Sequence, residues 1–255
     1  MCLCNRENRD ILKKRLMEEP FRRTTLSFYS YVRFADPQGL RDLLFREWSE
    51  MNCLGRIYLA GEGINAQMSV PDHYLTGFLE RLHQYPGLEE LPVKYAIEDN
   101  GKSFFKLTVK VRNKIVADGL EEDTFDVTNV GRHLSALEFH ELAGRPEVLV
   151  VDMRNHYESE VGHFRGAFCP PADTFREEIE MVADQLKDQK ERKILLYCTG
   201  GIRCEKASAF LKHHGFGDVN QLHGGIIEYA RQVKRLNLES KFIGKNFVFD
   251  ERMGE

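Results

Sequence analysis

The sequence contains no apolar run that approaches the ~18 residues of a membrane-spanning helix. Its first ten residues, "MCLCNRENRD", lack the apolar segment of a secretory signal peptide. Its six cysteines form no CxxC pair and are too few in a chain of 255 residues to make a disulfide framework. We therefore expect a cytoplasmic protein without membrane contact, in which Cys2 and Cys4 are unpaired thiols rather than metal ligands.

The sequence also lacks the patterns that identify common redox cofactor sites. It has no glycine-rich dinucleotide fingerprint, and no two histidines and a carboxylate can be assigned as an iron site. His163 lies in the turn "GHFRGAF", and His213 and His214 lie near a predicted helix end, where surface histidines are common. We therefore identify no cofactor and predict no metal site.

The length of the chain indicates two domains, because one domain usually has ~100–200 residues. Residues 1–115 carry a net charge of +3 and residues 116–255 one of −7, so an anionic partner is compatible with the first half. We predict an N-terminal arm (1–24), an α+β domain (25–116), a linker (117–143), an α/β domain (144–238) and a C-terminal extension (239–255).

The first domain shows the patterns of a small sheet backed by two helices. "TTLSFYSYVRF" is rich in aromatic and β-branched residues, and "DPQGLRDLLFREWSEM" opens with Asp36-Pro37 and repeats its apolar residues at helical spacing. "LGRIYLAGEGINAQMSV" reads as two strands about a glycine-rich bend, and another helix and two strands follow. This order predicts a ferredoxin-like, or acylphosphatase-like, α+β domain.

The last predicted strand of that domain, "KSFFKLTVKVRNKIV", alternates apolar and basic residues. Phe105, Leu107, Val109 and Val111 fall on one face, which predicts a core face. The opposite face has the cations Lys106, Lys110, Arg112 and Lys114. Such a row attracts phosphates, but lysines also protect sheet edges from aggregation, so the strand alone leaves both interpretations open.

The second domain alternates buried strands with helices. "EVLVVDMR" and "RKILLYC" are apolar without alternation, and helix-like segments such as "CEKASAFLKHHGF" separate the strands. Strands of this kind are typical of a parallel sheet that is covered on both faces.

The loop "CTGGIR" lies at the carboxyl end of one of these strands, where open α/β sheets bind their ligands. Gly200 and Gly201 permit a turn whose N–H groups converge, and the positive end of the next helix points the same way. Arg203 adds a charge that persists at every relevant pH. We therefore interpret Cys198 as a nucleophilic thiolate rather than a buried apolar residue, and Cys204 as a resolving thiol or a packing residue.

These motifs resemble a rhodanese domain, in which the loop cysteine carries a persulfide held by loop amides. The resemblance implies a catalytic Cys198 in an active-site loop with Thr199, Gly200, Gly201, Ile202 and Arg203, supported by Asp152, Arg154, Glu158 and Cys204. A related phosphatase group has one more residue in this loop, and the loop here is of the shorter kind.

Longer segments, among them "GRIYLAGEGINAQMSVP", "VDMRNHYESEVGHFRGA" and "YCTGGIRCEKASAFLKHHGF", are similar to the bacterial tRNA uridine hydroxylase family. Members of that family use molecular oxygen to form 5-hydroxyuridine at the wobble position of tRNA. The resemblance implies tRNA as partner, oxygen as co-substrate, an electron donor that it does not identify, and tRNA contacts by the basic strand. Many members carry a cysteine-rich tail after the equivalent of "FDERMGE", with which this sequence ends.

Two other functions share the same loop. A sulfurtransferase would move sulfur through a Cys198 persulfide, and a non-catalytic module would bind tRNA or sense sulfur through the same cysteine. A nucleoside assay separates them, because only a hydroxylase forms 5-hydroxyuridine.

Overall fold

The computed structural model describes residues 8–97, 101–120 and 125–248. Cys2 and Cys4 therefore lie outside the described residues. The chain divides into two compact units, the first ending at Ile115 and the second beginning at Val116. Within the described residues, none of the helices combines the length and apolarity that crossing a membrane requires.

The first unit has the predicted ferredoxin-like sheet. Four of its strands lie in the order β4-β1-β3-β2, and β5 pairs in parallel with β2 at the edge. This order, with one helix after the first strand and one after the third, confirms the predicted fold. The elements are α1 (Arg9–Glu18), β1 (Arg23–Tyr31), α2 (Pro37–Glu50), β2 (Leu54–Ala60), β3 (Gly63–Pro71), α3 (Leu75–Leu82), β4 (Lys94–Tyr95) and β5 (Leu107–Val111).

Local sequence explains where these elements begin and which face they bury. α2 starts at Pro37, and the Asp36 side chain accepts a hydrogen bond from the N–H of Gly39, which caps the helix. Trp48 of α2 is fully buried against Phe28 and Phe78, and it anchors the core between the helices and one face of the sheet.

The basic strand is shorter than predicted, and its core face is smaller. Leu107 and Val109 are buried, but Phe105 precedes β5 and is half-buried, and Val111 is 37% exposed. The prediction that all four pack in the core was therefore wrong at the two ends. β5 is an edge strand, so side chains at its ends have fewer neighbours to pack against.

The second unit contains the predicted parallel sheet, with the strand order β6-β10-β9-β7. β8 and β11 form a separate antiparallel pair. Residues 117–143, predicted as a linker, include one strand and one helix of this unit. The elements are β6 (Arg132–Leu134), α4 (Ala136–Leu142), β7 (Val148–Asp152), α5 (His156–Val161), β8 (Gly162–Phe164), α6 (Phe175–Gln185), β9 (Lys193–Tyr197), α7 (Ile202–His213), β10 (Asp218–Leu222), α8 (Gly225–Arg235) and β11 (Phe242–Gly244).

Helices cover both faces of this sheet, which explains why its strands are apolar without alternation. On β9, Ile194 and Leu196 pack with α6 and α7, whereas Leu195 and Tyr197 pack with α4 and α8. The strand therefore buries side chains in both directions, and its carboxyl end leads directly into the loop that begins at Cys198.

Candidate active site

The loop from Cys198 to Arg203 follows the central strand β9, and its last two residues form the start of α7. Cys198 is fully buried, and the N–H of Gly201 lies 3.1 Å from its Sγ and donates to it. Gly201 has a φ of +100° at the N-cap of α7, a left-handed conformation that a residue with a Cβ adopts only at a cost. The turn thereby aims a backbone donor at the sulfur, as the sequence predicts.

A second helix holds the loop from the other side. The N–H groups of Ile226 and Ile227 at the start of α8 donate to the carbonyl oxygens of Cys198 and Thr199 at 3.0 and 3.2 Å. A Cβ at Gly225 would lie 2.6 Å from both oxygens, so only glycine permits this approach. Sequence reasoning missed this support, for which the adjacent glycines of "HGGII" were the available signal.

The surroundings of Cys198 favour its anionic form. Burial by itself raises the pKa of this thiol. A hydrogen bond from the Cys204 side chain, the positive charge of Arg203 and the N–H groups of Cys204 and Arg203 outweigh burial and lower the pKa to about 5. The sulfur is therefore a thiolate at neutral pH.

Cys204 lies on the first turn of α7 and is fully buried. Burial, followed by the hydrogen bond and charge of Cys198, raises the pKa of the Cys204 thiol well above its ordinary value. Cys204 is therefore a protonated donor to the Cys198 sulfur, a contact that neither of the roles considered from the sequence includes.

Arg203 is fixed by Glu158, the residue that also caps the start of α5. Its two terminal nitrogens donate to the two carboxylate oxygens at 2.6 and 2.9 Å, and one of them lies 3.3 Å from Oγ1 of Thr199. The Glu158 side chain is completely buried and that of Arg203 is 11% exposed. A two-point ion pair of this kind fixes the direction of the guanidinium as well as its position.

Asp152 and Arg154 form a second buried pair beside the first. Asp152 accepts bonds from Nε and Nη2 of Arg154 at 2.8 and 2.7 Å and from the Tyr197 hydroxyl at 2.6 Å. Because Tyr197 immediately precedes Cys198, this network ties the ends of β7 and β9 together. Asp152 therefore binds Arg154 and Tyr197. Through Tyr197 it holds the end of the strand that leads into the loop.

Glu178 of α6 is a site residue that sequence reasoning missed. It is fully buried, neither carboxyl oxygen has a hydrogen-bond partner among the described residues, and burial raises its pKa well above the usual range. Arg203 and Cys198 are among the charges that act on it. The signal was present, because Phe175, Glu178, Ile179 and Val182 share one helical face.

The predicted tRNA-binding cations belong to the first unit, whereas the loop belongs to the second. Lys106, Lys110 and Arg112 are exposed, and Lys114 follows the end of β5 and is half-buried. Of the histidines considered, Nδ1 of His163 lies 2.9 Å from the Ser159 carbonyl oxygen. In the described ranges, no group of three or more His, Cys, Asp or Glu side chains is arranged to hold a metal ion.

Comparisons with known families match both units. A family model described as UPF0176 acylphosphatase like domain matches residues 23–115, and one described as Rhodanese-like domain matches residues 135–232. The second match contains the loop, its supporting ion pairs and the start of α8.

Curated relatives match along almost the whole chain. A Leptospira interrogans protein named tRNA uridine(34) hydroxylase is 57% identical over 253 residues, which cover 99% of this chain and 69% of the relative. Proteins of the same name from Hamiltonella defensa and Escherichia coli (strain K12 / DH10B) are 52% and 51% identical over 254 residues. Those alignments cover 99% of this chain and 72% and 73% of the relatives.

Solved structures match part of the chain. The Alr3790 protein from Anabaena sp. is 25% identical with a TM-score of 0.34, covering 44% of this chain and 91% of that chain. A rhodanese-like domain protein from Staphylococcus aureus is 24% identical with a TM-score of 0.32, covering 38% and 90%.

Proposed function

This chain belongs to the tRNA uridine(34) hydroxylase family, and we propose that it converts uridine 34 of tRNA to 5-hydroxyuridine with molecular oxygen. It is an enzyme of tRNA modification. The observation that carries the proposal is the enclosed Cys198 thiolate, set in a chain that matches curated hydroxylases over 99% of its length.

Cys198 is the reacting side chain in this proposal. A pKa of about 5 leaves about 99% of the sulfur anionic at pH 7, so no separate base has to remove its proton. Oxygen supplies the hydroxyl group, and an external two-electron donor reduces the second oxygen atom to water.

The other loop residues maintain the anion and its direction. The Gly201 N–H, the Cys204 thiol and the Arg203 charge stabilise the sulfur, and Glu158 positions Arg203. Thr199, Gly200 and Ile202 remain partly exposed, which supports an approach of the nucleobase from their side of the loop.

Binding of tRNA involves the exposed cations Lys106, Lys110 and Arg112 and the neighbouring Lys114 of the first unit. Cations on an extended strand match a phosphate backbone, and they add affinity that falls with salt. Because its proposed substrate is tRNA, we expect the enzyme to work in the cytoplasm.

Nucleoside mass analysis tests this function directly. The purified chain is incubated with unmodified tRNA and a reductant, with oxygen present or removed, and the tRNA is then digested. We expect 5-hydroxyuridine only when oxygen is present. A thiolated base would instead identify a sulfurtransferase, and an unmodified product at any oxygen level would refute the proposal.

A further inference from the structure

One face of the first sheet carries aromatic and basic side chains together. Helices α2 and α3 bury the face formed by residues such as Phe28, Ile57 and Met68. We call the exposed part of the opposite side the open face; Thr25 of β1, which points the same way, is outside it because it is buried, with its hydroxyl 2.8 Å from that of Ser103. Its exposed and half-buried side chains are Ser27, Tyr29 and Tyr31 of β1, Arg56 and Tyr58 of β2, Asn65 and Gln67 of β3, Lys94 of β4, and Thr108 and Lys110 of β5.

Strand register places these side chains next to one another. Tyr58 pairs with Asn65 on one side and with Lys110 on the other, and Asn65 pairs in turn with Tyr29. Directly paired residues point to the same face of a sheet. Tyr29, Asn65, Tyr58 and Lys110 therefore form one row across four strands.

The aromatic rings of the open face lie beside cations. The Arg112 guanidinium is 5.7 Å from the centre of the Tyr58 ring, and Lys94 Nζ is 4.4 Å from the centre of the Tyr29 ring. Arg56, Lys110 and Arg112 are exposed. None of the open-face positions defined above is a carboxylate, so the charge of this surface complements a polyanion.

We propose that the open face binds unpaired nucleotides of RNA, with a base stacked on Tyr58 and phosphates held by Arg56, Lys110 and Arg112. Four-stranded sheets of this order present aromatic side chains on which two or three RNA bases stack. The identification of this RNA as the tRNA substrate rests on the proposed function, whereas the stacking surface itself rests on the geometry of the first unit.

A single-stranded segment fits this surface better than a duplex. Bases in an A-form duplex are stacked on one another, and their edges in the deep, narrow groove are out of reach of side chains on a flat sheet. Unpaired bases offer a free aromatic face, and stacking on an aromatic side chain tolerates any base. Charge alone would attract both forms, so the tyrosine is the feature that separates them.

Fluorescence anisotropy with two labelled RNAs tests this proposal on the full chain: a stem-loop with an unpaired loop, and a perfect duplex of equal phosphate number. We expect Tyr58→Ala to weaken stem-loop binding between about 5-fold and 150-fold and to leave duplex binding unchanged. Tyr58→Phe keeps the ring and should bind like wild type. Arg112→Ala should weaken both RNAs, whereas Arg46→Ala, an exposed arginine of α2, should weaken neither.

Photo-crosslinking of the wild-type protein tests the proposal even if the alanine variant fails to fold. Wild-type protein is irradiated with a stem-loop that carries 5-iodouridine in the loop, and the crosslinked peptide is identified. Attachment at Tyr58 supports the proposal. Equal losses of stem-loop and duplex binding in Tyr58→Ala, or crosslinks confined to the second unit, would overturn it.

The outcome of these binding experiments can be distinguished from the outcome of the hydroxylation assay. If wild type binds the stem-loop through Tyr58 but forms no 5-hydroxyuridine, the stacking surface stands and the proposed function fails. If Tyr58→Ala binds both RNAs normally while wild type hydroxylates tRNA, the function stands and the stacking proposal fails.

Discussion

In the first unit α2 and α3 pack together on one face of the sheet, whereas in the second unit helices cover both faces of the sheet. The exposed cations of the first unit, such as Lys110 and Arg112, remain in water. The second unit contains buried ion pairs, in which Arg203 and Arg154 each bind a fully buried carboxylate. Exposed charges attract a large anion at long range, and buried charges can set the pKa of a neighbouring thiol.

The buried pair of Asp152 and Arg154 gives the largest expected effect. Arg154→Ala leaves the Asp152 carboxylate buried without its partner, and we expect a loss of about 3–5 kcal/mol in the unfolding free energy of the second unit. Urea unfolding followed by circular dichroism measures this loss. Fluorescence of Trp48, the single tryptophan of the sequence, reports on the first unit and should keep its midpoint.

The exposed Arg145 provides the control for this experiment. Arg145→Ala should change the same free energy by less than about 0.5 kcal/mol. A loss below about 1 kcal/mol in Arg154→Ala would mean that the pair adds little to the second unit, and the contrast between the two units would be weaker than described.

Removing Arg203 should have the next largest effect, on the ionisation of Cys198. Arg203→Ala takes away a positive charge and leaves the Glu158 carboxylate without its partner, while the Cys204 donor and the loop N–H groups remain, so we expect the pKa of Cys198 to rise from about 5 by about 2 units. Thiolate chemistry in wild type is present above pH 5 and lost below it. At about pH 6 the variant should therefore react about 10-fold more slowly.

The rate of Cys198 alkylation by iodoacetamide, measured against pH, gives this pKa. Arg203→Lys should lie between wild type and Arg203→Ala, because it keeps the charge and loses the two-point geometry. Glu158→Gln removes a negative charge and should not raise the pKa. An unchanged profile in Arg203→Ala would show that Arg203 does not control the thiolate.

A smaller shift should follow from the loss of the Cys204 donor. Cys204→Ala removes the hydrogen bond to the Cys198 sulfur, and we expect the pKa of Cys198 to rise by about 1 unit, or about 1.4 kcal/mol. Cys204→Ser retains a donor and should restore most of the difference. Equal pKa values in wild type and the alanine variant would assign Cys204 to packing alone.

The smallest effect on turnover should come from the first unit. Lys110→Glu with Arg112→Glu removes two charges that bind phosphates of unpaired RNA, so the slope of log affinity against log salt should fall by about 1.4. Turnover at saturating tRNA should remain at the wild-type level, because neither residue lies in the second unit. Binding titrations at several salt concentrations measure the slope, and an unchanged slope would restrict these cations to protection of the sheet edge.

The sequence allowed the fold and the turn that directs a backbone N–H at Cys198 to be predicted because their signals are local. An apolar run, two glycines and an arginine lie within twelve residues of Cys198, and the predicted strand "RKILLYC" contains β9. The supports of the loop are separated from it in sequence. Glu158 is 45 residues from Arg203 in the sequence, and α7 and β10 lie between the loop and Gly225.

Local sequence patterns also failed to predict which side chains are exposed at the edge of the first sheet. The alternation around β5 predicts a core face, but whether Val111 is buried depends on which neighbours reach the end of an edge strand. Glu178 was missed for a different reason. The sequence predicts the helical face on which it lies, but its burial and the influence of the Cys198 charge on it depend on how α6 packs.

Replacement of Cys198 by serine, followed by nucleoside mass analysis of the treated tRNA, tests the central claim most directly. Serine stays protonated at neutral pH and cannot form the thiolate, so Cys198→Ser should bind tRNA like wild type and yield almost no 5-hydroxyuridine. Cys169→Ser, at a half-buried thiol outside the loop, should keep its activity. Substantial 5-hydroxyuridine formation by folded Cys198→Ser protein would contradict the account.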